Sequence, residues 1–118
     1  MKKEVPLSLF GIVGSAYCVS SDDGQKVFQR LATAIRHGKT VAVSFANVEY
    51  LTSAFLNAAI GQLYGHFAPE HIRQHVRLVG ISKPDATLLK RVVENARAYF
   101  ADPKKFEKAR DTAMSEAG

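Results

Sequence analysis

TVAVSFANVEYLTSAFLNAAIGQLY, residues 40–64, is the stretch on which the fold turns. Residues 41–45 are apolar at nearly every position, the pattern of a central strand covered on both faces. A polar connector follows. Thr52 and Ser53 then open a run in which Phe55, Leu56, Ala59, Ile60 and Leu63 recur at helical spacing, giving an amphipathic helix with one apolar stripe. A buried strand feeding a helix whose first turn carries hydroxyls is a setting for a switch or an anion contact.

The flanks repeat the alternation. Upstream, Leu7, Leu9 and residues 10–13 predict a first strand closed by Gly14-Ser15, and residues 16–19 a short second one. Ser20-Ser21-Asp22-Asp23 reads as a helix N-cap with acids in the first turn, where the helix dipole favours them. Val27, Phe28, Leu31 and Ile35 form that helix's stripe, and His37-Gly38 ends it. Downstream, residues 70–75 predict a helical turn and residues 76–81 the last strand. Lys83-Pro84-Asp85 opens a third helix, with Leu88, Leu89, Val92, Val93, Ala96 and Phe100 as its stripe. The order β(β)αβαβα predicts an α/β fold: one domain over residues 1–103, about four strands in a mixed sheet packed by about three helices. Residues 104–118 read as a polar tail, at most a frayed helix.

The 118 residues fit one domain. Hydrophobic residues make up 47% and charged residues 23%, an ordinary balance for a globular chain with its own core. No apolar run approaches the roughly 20 residues a bilayer requires. Pro6, Ser8 and Gly11 interrupt the stretch after Lys2-Lys3, so the start reads as cytoplasmic rather than as a secretory leader. Cys18 is the only cysteine, which excludes an internal disulfide and a cysteine-rich zinc site. The formal charge of +5 suits an anionic partner. Much of the excess lies near the ends, in Lys2, Lys3, Lys104, Lys105, Lys108 and Arg110, and aromatic residues do not interleave with it as they do on nucleic-acid stacking surfaces.

Ser44-Phe45-Ala46-Asn47-Val48-Glu49-Tyr50-Leu51-Thr52-Ser53-Ala54-Phe55 resembles the STAS superfamily, named for sulfate transporters and anti-sigma-factor antagonists. More closely, the chain is similar to STAS-like domains of unknown function, over roughly residues 7–100. In the antagonists an Asp-Leu-Ser type strand end leads to an Asp-Ser-Ser/Thr-Gly-Leu-Gly helix start. A hydroxyl there is phosphorylated by a kinase that is also the anti-sigma factor. By that resemblance Thr52 stands at the family's Asp, and Ser53 and Ala54 stand at its two hydroxyl positions. Phe55 and Asn57 replace the glycines, and Ser44 replaces the strand-end Asp. The resemblance implies a non-enzymatic interaction module of bacterial signalling, without a cofactor. Its implied partner is an ATP-binding regulator of the histidine-kinase ATPase type, acting as anti-sigma factor or kinase.

Ser53 is therefore the candidate phosphoacceptor, and Asn47, Val48, Tyr50, Thr52 and Ser53 the candidate partner surface. Val48 and Tyr50 are its apolar contacts. Simple N-capping by Thr52 or Ser53 is the plainer role for the hydroxyls. Ser53 sits at a strand–turn–helix junction, but a hydrolase elbow requires flanking glycines, and here Leu51 and Phe55 flank it. His71 and His75 are four apart, the spacing of a metal pair on a helix, with Glu70 adjacent. Residues 11–15, GIVGS, lack the lysine of a phosphate loop. Ser82 and Lys83 are a lesser candidate for an anion contact. The alternative to the interaction module is a basic anion- or nucleic-acid-binding module.

Overall fold

A computed structural model describes residues 4–101. The predicted tail over residues 104–118, and the boundary that sets it off, lie outside them. The strands are β1 (Glu4–Ser8), β2 (Tyr17–Cys18), β3 (Thr40–Ser44), β4 (Tyr50–Leu51) and β5 (Val76–Val79). The α-helices are α1 (Leu9–Val13), α2 (Ser21–Arg36), α3 (Ser53–Ala59), α4 (Pro69–His75) and α5 (Lys83–Ala101), with a 3-10 turn at Gly61–Gly65.

The α/β class is as the sequence predicts, but the strands form no single four-stranded sheet. β1, β3 and β5 make a three-stranded sheet in the order β1-β3-β5, and β2 pairs with β4 in a separate two-stranded ladder. All these pairs are parallel, so the sheet is not mixed among the described residues. The helices account for the direction: α1 and α2 lie between β1 and β3, α3 and α4 between β3 and β5, and such crossovers return the chain parallel.

The departure begins at Ser8. Its Oγ accepts a hydrogen bond from the Gly11 amide at 3.0 Å, capping a helix where a strand was predicted. Gly14 ends that helix with φ of 82°, and its N–H donates to the Phe10 carbonyl. The apolar run LFGIV suits a buried strand or a helix equally by pattern, and the two caps decide it. The chain thus leaves the main sheet at Ser8. The backbone around β2 then bonds to the connector after β3: the Ala16 carbonyl accepts from the Glu49 and Tyr50 amides, and the Cys18 carbonyl from the Thr52 amide.

β3 is central, but only one of its faces is fully buried. Val41 and Val43 are completely enclosed, whereas Thr40, Ala42 and Ser44 are half-buried. Leu7, Val41 and Val43 meet Val27, Leu31 and Ile35 of α2 and Phe55 and Leu56 of α3 in one core. On the open face, Glu4 and Arg77 form a forked ion pair, Nη2 to Oε1 at 2.5 Å and Nε to Oε2 at 3.0 Å. The Arg77 guanidinium holds the Glu4 carboxyl below the usual carboxylate range. α5 buries Leu89, Val92 and Ala96, while Phe100 at the end of its predicted stripe is exposed.

Candidate functional site

The β2–β4 ladder brings two strand–helix junctions side by side. β2 runs into α2 through Ser20, and β4 runs into α3 through Thr52. Each junction residue is an N-cap: Ser20 Oγ accepts from the Asp23 amide at 3.1 Å, and Thr52 Oγ1 accepts from the Phe55 amide at 3.2 Å. Thr52 also donates its hydroxyl proton to the Val19 carbonyl at 2.7 Å. One side chain therefore caps α3 and ties it to the neighbouring junction.

That assignment settles which hydroxyl serves structure. Thr52 is half-buried and engaged as donor and acceptor. Ser53 is exposed as the first residue of α3, and its hydroxyl makes no hydrogen bond among the described residues. Replacing Thr52 with alanine is expected to cost about 1–2 kcal/mol, the upper range for a lost cap. Ser53→Ala should stay within about 0.5 kcal/mol. Thermal unfolding of the two variants checks this, and reversed costs would place the cap on Ser53.

The connector holds the other predicted residues. Ser44 Oγ accepts from the Ala46 amide at 3.2 Å, and the Val48 amide bonds the Phe45 carbonyl at 3.2 Å, closing a tight turn. Asn47 occupies this turn with φ of 68°, a left-handed conformation that asparagine tolerates better than most residues. Its side chain is exposed. Val48, predicted as an apolar contact, is half-buried and packs against the core. That leaves Tyr50 as the connector's large exposed apolar side chain.

Tyr50 is not alone. Parallel pairing sets Tyr17 opposite it, and the rings stack with centroids 4.9 Å apart and planes 5° from parallel. Tyr17 remains 54% exposed and Tyr50 56%, with Val19, 41% exposed, close by in the chain. The stack is thus fixed by backbone register while most of both rings faces water. Tyr17 was not among the predicted residues. A signal existed: Tyr17-Cys18 before Ser20-Ser21 and Tyr50-Leu51 before Thr52-Ser53 each place tyrosine and an apolar residue ahead of hydroxyls that start a helix.

Other candidates carry structural roles. Cys18 is fully buried, and burial, with a lesser contribution from Asp23, pushes its thiol up to about 11. Such a thiol is a poor nucleophile near neutrality. His75 Nδ1 lies 3.0 Å from the Lys39 carbonyl, which can only accept, so that nitrogen carries the proton. His71 packs between Phe67 and His75. Among the described residues, no three His, Cys, Asp or Glu side chains are grouped to hold a metal ion. Residues 11–13 belong to α1 and Gly14 is its cap, and Ser82 Oγ accepts from the Asp85 amide at 3.3 Å at the start of α5. No helix among the described residues is long and apolar enough to cross a membrane.

Comparison with known families finds that the model of a STAS-like domain of unknown function matches residues 23–86, more than half of the chain. That span runs from the first turn of α2 to the start of α5 and includes α3 with its cap, but not β1 or Tyr17. No curated protein and no solved structure matches.

Proposed function

Since the chain belongs to the family of STAS-like domains of unknown function, we propose that it is a non-enzymatic regulatory interaction module. It binds an ATP-binding regulator of the histidine-kinase ATPase type through the Tyr17–Tyr50 stack and the start of α3, with Ser53 as the point of control. The STAS fold often serves as a protein-interaction module, and the exposed stacked pair is the observation that carries this reading. Two tyrosines held by ladder pairing present rigid, amphipathic area at little entropic cost, the character of interface anchors. In the ladder alone such a pair contributes only about 0.2–1 kcal/mol.

Ser53 adds a means of release. Transfer of the terminal phosphoryl of ATP to its Oγ, with loss of the hydroxyl proton and departure of ADP, places about −1.5 to −2 charges beside the aromatic pair. The fold is unaffected, because Thr52 and not Ser53 holds the cap.

The test is calorimetric titration of the chain with ATP-binding proteins encoded beside its gene. Wild type should bind, while Tyr50→Ala and Ser53→Glu should each weaken affinity at least about tenfold, or 1.4 kcal/mol, with melting temperatures close to wild type. Equal affinity in all three chains places the contact elsewhere.

A further inference from the structure

The surface of α2 that faces away from the core carries a second pattern. Lys26, Gln29, Arg30, Thr33 and His37 recur at intervals of three and four, so they share one helix face. This face lines a cavity of about 490 Å³ together with Val5 of β1, Ile12 of α1, Ala34 and Lys39. A second depression of about 380 Å³ adjoins it, its lining adding Pro6, Leu7, Ser8, Gly11 and Val41. Val5, Ile12, Arg30 and Ala34 line both, so Arg30 borders the two depressions.

Arg30 and Lys39 are not consumed by the fold. Among the described residues the ion pairs are Arg77 with Glu4 and a loose Lys26–Asp23 contact at 3.4 Å; neither Arg30 nor Lys39 has a carboxylate partner. Lys39 follows the C-terminus of α2, where the dipole favours a cation in any case. Arg30 lies mid-helix and gains nothing from that. Both depressions fall in the size range of ligand pockets, and an apolar floor with a few placed polar groups is their usual chemistry. Among the described residues His37 is the only aromatic side chain lining either, which disfavours a stacked nucleobase and favours an aliphatic body.

We infer that the groove between α2 and β1 binds a small anion with an aliphatic body, a phosphate or carboxylate on a short chain. Arg30 and Lys39 receive the anionic head, and the chain lies toward Val5, Ile12 and Ala34. This site stands apart from the tyrosine pair and does not depend on the regulatory reading.

The experiment is an amide NMR titration of the full chain with hexyl phosphate at low salt, with inorganic phosphate and hexanol as separated head and body. Signals of Ile12, Arg30, Thr33 and Lys39 should move together, and each fragment should bind at least about tenfold more weakly. Arg30→Glu should weaken binding about tenfold or more, Arg30→Gln less, and added salt should weaken it further. Tyr50→Ala should leave it unchanged. Unaltered binding in both Arg30 variants, hexanol binding as tightly as hexyl phosphate, or shifts confined to the tyrosine pair would overturn the site. Retention on phosphatidic acid vesicles without any response to hexyl phosphate would also overturn it, pointing to a membrane surface instead.

Discussion

Phe55→Ala is expected to remove about 3–5 kcal/mol of stability, the cost of emptying a large enclosed aromatic site. Phe55 is the largest fully buried side chain among the described residues, at 0% exposure. Its amide is the one capped by Thr52, so the side chain that fills the core and the backbone group that starts α3 belong to one residue. Natural domains hold about 5–15 kcal/mol in total, so the variant should unfold many degrees earlier or fail to fold at ordinary temperature. Phe55→Leu should lose less than half as much, because much of the volume stays. Urea unfolding measures both, and a cost below about 1 kcal/mol for alanine would mean that Phe55 is not packed as described.

Gly24→Ala should also destabilise the domain, although alanine is the better helix former by about 1 kcal/mol. Gly24 is buried in α2 with no positive φ, so its conformation does not require glycine. Space does. A Cβ added there would lie 2.5 Å from the Phe55 carbonyl oxygen and 2.7 Å from the Ala58 Cβ. The first neighbour is backbone and cannot rotate away, so α2 and α3 must separate. Overpacking of this kind costs about 1–3 kcal/mol, which exceeds the propensity gain over most of that range. The movement also displaces Ser53 and the Tyr50 junction, so affinity for the proposed partner should fall along with stability. A raised melting temperature in Gly24→Ala would contradict the close approach of the two helices.

The parts of the fold that were legible in sequence are those with long periodic patterns. α2, α5 and β3 lie where their stripes or apolar run place them, and α3 starts where its stripe does but ends at Ala59, leaving Ile60 beyond it and Leu63 in the 3-10 turn. Short elements were less legible. Five apolar residues after Ser8 carry too little periodicity to separate helix from strand, and only the Ser8 and Gly14 caps decide for helix. The two-residue strands β2 and β4 are defined by pairing across some thirty positions, which no local pattern encodes. The missing fourth strand of the sheet and the unrecognised Tyr17 have this one cause: β2 was identifiable, but not its partner. For the candidate site, a cap from Thr52 or Ser53 followed from residue type and position, with the choice between them left to geometry. Val48 is half-buried against the core, and an apolar residue in a connector reads the same whether it faces a partner or the core.

The most direct test is an amide NMR footprint of an ATP-binding regulator, encoded beside the gene, on the isotope-labelled chain. The interaction reading predicts the largest perturbations at Tyr17, Val19, Tyr50 and Ser53, and their disappearance when Ser53 is replaced by glutamate. A footprint centred on α5 or on the Arg30 face of α2, with the tyrosine signals unmoved, would contradict it.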